Sequence, residues 1–257
     1  MNCYLETHIK ADCTGCSACA QVCPKSAIQM IADDEGFLYP SIDETKCVNC
    51  GLCIEVCSDH DVKVLKNSFP QKAFGGHIRD GNVLANSTSG GAFSAVAYAY
   101  CQGRYAIFGA ECNEVYGAKH SYVTDINDMD RFRGSKYSQS SMGNAYDEAL
   151  KFLKKDYKVL FSGTPCQIGG LKKYLKNRQY DNLLTVEVVC EGVPSPLFMK
   201  KQVDAVENEH FGETTISGMK YRDKNGDRWD YQVMSYTNGE KIYKVDRWFN
   251  PFWSIWL

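Results

Sequence analysis

Eight cysteines in the first 57 residues fall into two runs, Cys13-x2-Cys16-x2-Cys19-x3-Cys23-Pro24 and Cys47-x2-Cys50-x2-Cys53-x3-Cys57. This is the spacing with which a short chain wraps a pair of cubane 4Fe–4S clusters. Three thiolates of each run cap one cluster and the fourth reaches across to the other. That rule assigns Cys13, Cys16, Cys19 and Cys57 to one cluster, and Cys47, Cys50, Cys53 and Cys23 to the second. Such clusters move electrons one at a time. Zinc sites usually set two thiol pairs far apart, and disulfides between cysteines this close in sequence would close strained loops. Cys57 is followed by Ser58 where the first run has Pro24, a change that need not remove a ligand.

Five cysteines lie outside the runs. Cys3, Cys101 and Cys112 read as buried small hydrophobes. Cys166 and Cys190 are open to two readings: packed thiols at strand ends, or thiols near a redox group or ligating an additional cluster. His120 reads as a hydrogen-bonding core histidine and not a metal ligand. The basic stretch Lys151 to Lys158 reads as a solvated helix face, able to dock an acidic partner.

Four further segments carry chemistry-bearing residues in turn-forming contexts. Ser87-Thr88-Ser89-Gly90-Gly91 opens a helix, where backbone amides and hydroxyls suit an anion. Gly134-Ser135-Lys136-Tyr137 offers a hydroxyl, a cation and a ring. Ser162-Gly163-Thr164-Pro165-Cys166-Gln167 stands between a strand and a helix. Val189-Cys190-Glu191-Gly192-Val193-Pro194-Ser195-Pro196 ends a continuous apolar strand, where ligands of α/β sheets commonly sit. Each is weak alone, and none is a Walker loop or a G-x-G-x-x-G dinucleotide fingerprint.

The elements that must position these residues divide the chain. Residues 1–66 form a ferredoxin-type module, with short strands at Ser26–Ile31 and Asp61–Leu65 and a turn at Asp34-Glu35-Gly36 between its repeats. Residues 67 to 73 read as a connector, and residues 74–257 as a second domain that alternates types. Helices are expected at Gly90–Tyr100 (buried), Asn144–Lys155, Gln167–Lys176 and Pro196–His210. Strands are expected at Tyr105–Ala110, Tyr116–Val123, Lys158–Phe161 and Leu183–Val189, the last buried on both faces. Three more follow between Thr214 and Val245. The fold class is α+β: a small two-cluster module before a layered α/β domain.

The chain of 257 residues has 44% hydrophobic and 23% charged residues and a net charge of −2. That gives no basic footprint for nucleic acid. No apolar run reaches the roughly 18 residues of a membrane span. Thirteen cysteines and an N-terminus without a basic n-region or apolar stretch predict a reducing, cytoplasmic location. The last ten residues hold Trp248, Phe249, Phe252, Trp253, Ile255, Trp256 and Leu257. Such a cluster packs on the core, forms an oligomer or partner contact, or marks a C-terminally truncated form.

Taken in order behind the cysteine runs, the motifs resemble the coenzyme F-420 hydrogenase/dehydrogenase beta subunit family. Its relatives include 7-hydroxymethyl chlorophyll a reductase and bacterial proteins associated with polysaccharide gene clusters. Besides the four segments, Phe108-Gly109-Ala110, His120, Ser138-Gln139-Ser140 and Tyr221-Arg222-Asp223-Lys224 carry the resemblance. It implies a flavoprotein binding FAD in a non-Rossmann fold, with two 4Fe–4S clusters feeding the flavin. Electrons would come from a redox partner protein or ferredoxin and pass to or from an organic hydride acceptor such as a deazaflavin. On the resemblance, Ser89, Gly90 and Gly91 hold FAD phosphates or the ribityl chain. Ser135, Lys136 and Tyr137 supply charge and hydrogen bonds, with Lys136 near the flavin N1 region. Gly163, Thr164, Pro165 and Cys166 approach the isoalloxazine. Members commonly carry histidine after the cysteine matching Cys190, where Glu191 stands here, and this bears on proton delivery. A different class of reading is a non-catalytic electron relay or docking subunit, linked to polysaccharide assembly.

Overall fold

The structure, a computed structural model, describes residues 3–57, 72–113, 115–224 and 233–256. The expected strand Asp61–Leu65 and most of the connector lie outside them. In the first module a short helix α1 (Tyr4–Thr7) precedes α2 (Ala18–Val22), the hairpin β1 (Ile28–Ala32)–β2 (Leu38–Ile42), and α3 (Leu52–Glu55). Ala32 pairs with Leu38 across the hairpin. The Asp33 carboxylate makes the turn by accepting from the amides of Glu35 (3.1 Å) and Phe37 (2.9 Å). The turn at Asp34-Glu35-Gly36 therefore closes a hairpin inside the first repeat and does not separate the repeats.

The larger part begins with α4 (Gly81–Ala85), capped by Asp80, and α5 (Ala92–Tyr100). Its five-stranded sheet has the order β5 (Ser140–Ser141), β4 (Gly117–Val123), β3 (Tyr105–Asn113), β6 (Lys158–Gly163), β7 (Leu183–Glu187). Strands β3, β6 and β7 run parallel, and β4 lies antiparallel to β3. Consecutive burial of Ala106, Ile107 and Phe108 on β3 shows a strand covered on both faces. Helices α6 (Ala145–Lys154) and α7 (Pro165–Tyr174) cover the sheet. In α6 the buried residues are Ala145, Tyr146, Ala149 and Leu153, one stripe at helical spacing. A second layer packs α8 (Pro196–Val206), running into a π turn over Glu207–Phe211, with the antiparallel strands β8 (Gly218–Asp223), β9 (Val233–Thr237) and β10 (Ile242–Asp246), and with α9 (Pro251–Trp256).

Two further expectations are corrected, and a third feature is resolved into parts. Strand β7 is an edge strand, half-buried, and it ends before Val188 and Val189, which is 91% exposed. Apolar content alone does not distinguish an edge strand from a central one. Helix α5 buries only Ser94 and Ala97, so it lies on the surface of the sheet and is not enclosed. The C-terminal aromatics divide: Phe252 and Trp253 are buried with Met199, Tyr221 and Tyr236, while Trp248 (75%) and Phe249 (83%) are exposed.

The core does not stop where the cysteine-rich module ends. Ala18 and Val56 pack in one cluster with Phe108, Tyr146, Phe161, Ile168 and Leu171 of the larger part. Polar contacts cross the same seam: Gln139 Oε1 accepts from the Leu38 amide at 2.8 Å. Gln139→Ala leaves that half-buried amide unpaired. It is expected to cost about 1–2 kcal/mol, read as a lowered unfolding midpoint at unchanged iron content.

Candidate functional site

The eight thiols of the two runs line two cavities, in the crosswise grouping that the spacing demands. One cavity is lined by Cys13, Cys16, Cys19 and Cys57, with Cys3, Ala18, Met30 and Pro40. The other is lined by Cys23, Cys47, Cys50 and Cys53, with Pro24, Ile28, Ile42 and Leu52. The loops that bend the chain round each cavity repeat one device. The residues on either side of the middle cysteine are left-handed, Gly15 (φ 70°) and Ser17 (φ 62°) in the first run, Asn49 (φ 52°) and Gly51 (φ 76°) in the second. Glycine and asparagine suit that conformation, so the residues between the cysteines are part of the motif. Backbone amides already point at two sulfurs, Gly15 N to Cys13 Sγ (3.4 Å) and Ala27 N to Cys23 Sγ (3.3 Å).

Among the described residues no three His, Cys, Asp or Glu side chains gather closely enough for one ion. Four thiols line each cavity, and four cysteine sulfurs are the donor set of a 4Fe–4S cluster, so the residues present fit such clusters. Burial pushes the thiols of Cys16 and Cys19 up, so it is iron that must hold them as thiolates.

The first cavity sits against the larger domain. A Cβ on Gly170 of α7 would stand 3.3 Å from Cys16 Sγ and 2.8 Å from Tyr146 Oη. The buried Tyr146 hydroxyl shares its one proton between Cys16 O (2.9 Å) and Gln167 O (3.0 Å). The Gly163–Cys166 loop thus leads into the helix that packs against the first cavity. Its shape comes from a capping box at the start of α7: the Thr164 amide donates to Gln167 Oε1 at 2.9 Å, and Pro165 opens the helix.

The four separate motif segments are tied by hydrogen bonds at the carboxyl ends of β3 and β6. Ser135 donates to Thr88 Oγ1 from its amide (2.9 Å) and its hydroxyl (3.2 Å). His120 Nδ1 meets Ser140 Oγ at 2.8 Å, and its Nε2 donates to Ser162 O at 3.1 Å. Gln139 N donates to Pro194 O (3.1 Å), and Val188 N donates to Gly163 O (2.9 Å). Ser138 Oγ, buried in this network, has no hydrogen-bond partner among the described residues.

Residues 12–60 match the family described as 4Fe-4S dicluster domain. Residues 156–252 match the family described as the C terminus of the coenzyme F420 hydrogenase/dehydrogenase beta subunit. The two matches lie on separate parts of the chain, and the likeness to the coenzyme F420 hydrogenase/dehydrogenase beta subunit covers its C-terminal part, residues 156–252. Two curated relatives match the cysteine-rich region. NADH-quinone oxidoreductase subunit I of Pelobacter propionicus is 33% identical over 67 residues, 23% of this chain and 36% of that protein. NADH-quinone oxidoreductase subunit I 2 of Geobacter metallireducens is 39% identical over 56 residues, 20% of this chain and 43% of that protein. The chain thus spans less than half the length of each. A solved structure, the F420-reducing NiFe hydrogenase complex from Methanosarcina barkeri, is similar with a TM-score of 0.45 and 19% identity, covering 66% of this chain and 58% of that one.

The glycines of the first segment serve the chain's own packing. A Cβ on Gly90 would stand 2.7 Å from Gly76 O, and one on Gly91 2.8 Å from Ile78 Cγ2. Two N–H groups of Lys136 donate to Arg131 O (3.1 Å) and Arg133 O (2.8 Å), and burial lowers its pKa to about 8. His120 is buried, hydrogen-bonded at both nitrogens and stacked on Phe161, and burial holds its pKa down to about 4. Ser89 and Cys190 are exposed. Cys112 is exposed as well, correcting its reading as a buried hydrophobe, whereas Cys3 and Cys101 are buried. Cys190 is likewise not packed: its Sγ only turns back to Gly192, accepting from that amide at 3.4 Å. Sequence reasoning did not single out Tyr146 or Gly170. Both act through contacts with Cys16 that carry no local signature.

Proposed function

We propose that this chain is an iron–sulfur flavoprotein oxidoreductase subunit, exchanging electrons between two 4Fe–4S clusters and a flavin, and serving an organic hydride acceptor such as a deazaflavin. The observation that carries the reading is the packing of the first thiol cavity against α7, the helix that the Gly163–Cys166 loop opens. A flavin supplies what cubanes lack, conversion between one-electron and two-electron chemistry. The second cavity, lined by the exposed Cys50, faces a redox partner protein. The cysteine-lined interior then carries charge from the partner toward the loop cluster.

The flavin belongs to the hydrogen-bonded segments at the strand ends, where an unpartnered Ser138 hydroxyl supports the fit. There Gly163, Thr164, Pro165 and Cys166 form the wall on the cluster side. Ser89, Ser135 and Tyr137 donate hydrogen bonds, backbone amides of Gly90 and Gly91 contribute at the start of α5, and Lys136 offers its remaining N–H to an anionic group. His120 fixes the loops by joining Ser140 to Ser162 and takes no proton near neutral pH.

Anaerobic purification with iron, sulfide and flavin quantification tests this. About eight irons per chain and one flavin are expected. Eight irons without flavin after incubation with excess FAD would leave an electron relay instead. Lys136→Gln is expected to lower the bound flavin several-fold while iron stays at eight. Loss of iron in that variant would refute the assignment of Lys136 to the flavin side.

A further inference from the structure

We propose that Arg222 is a further binding residue: with Lys136 and Thr88 it forms a phosphate-binding junction between the first two motif segments. This deepens the flavin reading by naming what grips the phosphates of FAD, and the junction can also be tested without flavin. Segment Ser87–Gly91 is joined to segment Gly134–Tyr137 by the bonds of Ser135 to Thr88 Oγ1. The end of β8 touches both. Tyr221 packs edge-on against Tyr137, with ring centroids 5.4 Å apart. Lys224 Nζ donates to Leu84 O in α4, the helix that leads into the first segment. Arg222 stands in the chain between those two contacts. A shift of register between Lys220 and Asp223 interrupts the ladder there, and such bulges re-aim side chains.

Donors exceed acceptors at this junction. Arg222 Nε is buried and has no hydrogen-bond partner among the described residues. The adjacent carboxylate of Asp223 is turned to Lys244 Nζ at 3.0 Å, and that of Asp130 to Arg133 at 2.5 Å. Lys136 uses two N–H groups on Arg131 O and Arg133 O and keeps its third. Thr88 Oγ1 accepts both of its bonds from Ser135, so its own proton is left to donate. A buried cationic N–H without an acceptor destabilises the fold, and a bound anion removes that cost. Phosphate suits the set, because guanidinium and ammonium groups make charge-assisted hydrogen bonds to its oxygens. The amides at the start of α5 add to the same positive field.

The test uses the full chain, reconstituted anaerobically, and follows its melting temperature with inorganic pyrophosphate, FAD or riboflavin. Pyrophosphate and FAD are expected to raise the melting temperature of the unmodified chain. In Arg222→Gln pyrophosphate should give no rise, and FAD should bind roughly tenfold more weakly. Riboflavin, which lacks phosphate, should not distinguish the two chains. Arg222→Lys keeps the charge without the planar fork and should recover part of the loss. Without ligand, Arg222→Gln is expected to melt no lower than the unmodified chain, with iron still at about eight per chain. A lower ligand-free melting temperature would make Arg222 a support of the fold and overturn the proposal. Equal stabilisation of both chains by pyrophosphate, or of neither, overturns it too. Stabilisation by pyrophosphate that needs Arg222, with no effect of FAD, would sustain the junction and refute the flavin.

Discussion

Gly170→Val is expected to strip the first cluster, lowering bound iron from about eight to about four per chain while the second cluster persists. A Cβ at this position would already lie 2.8 Å from Tyr146 Oη and 3.3 Å from Cys16 Sγ, and a branched side chain needs more room than that. Neither neighbour can give way freely. Tyr146 is fully buried and its hydroxyl is committed to two carbonyls, and Cys16 is held between Gly15 and Ser17 in a left-handed loop. Gly170→Ala sharpens the test, because alanine in a helix interior should gain about 1 kcal/mol over glycine. The expected result has the opposite sign: a lower melting temperature and weaker cluster retention. An alanine variant that melts higher and keeps all its iron would show that α7 does not brace the first cluster.

Acid should destabilise the fold through His120. Its folded pKa is held to about 4 by burial, against an ordinary value near 6.5, with Lys136 acting in the same direction. The unfolded chain therefore binds the proton first as pH falls. Stability is intact above about 6.5 and declines progressively between 6.5 and 4, by roughly 3 kcal/mol in all. The proton would break the Ser140–His120–Ser162 bridge, since Nδ1 can then no longer accept from Ser140. Anaerobic urea unfolding at a series of pH values measures this. His120→Gln should be less stable at neutral pH yet lack most of the acid slope. A slope equal to that of the unmodified chain would place the acid sensitivity elsewhere.

What was legible in the sequence is what spacing alone dictates. Cysteines with two residues between them share a cavity, and the crosswise exchange of Cys23 and Cys57, each after a three-residue spacer, follows from how far a short loop reaches. The strong amphipathic stripe of α6 and the central strands β3, β4 and β6 were equally readable. Edge and centre were not: Leu183 to Val189 is apolar whether or not a neighbour covers it. The hairpin partner β2 escaped because Leu-Tyr-Pro-Ser-Ile shows no clean alternation, and only pairing with β1 makes it a strand. Contacts across the seam were invisible for a different reason. Tyr146 meets Cys16 over 130 residues of chain, and Gln139 meets Leu38 over 101. Nothing local to either residue announces such a partner.

The shared core of Ala18 and Val56 with Phe108, Tyr146 and Leu171 has a consequence for how the polypeptide matures. Loops pinned by iron supply part of the apolar wall against which α6 and α7 settle. Newly made molecules that have not received metal must leave that wall unfinished and expose greasy surface to proteases and chaperones. Iron supply then governs not only how many molecules can carry charge but how many survive to do so.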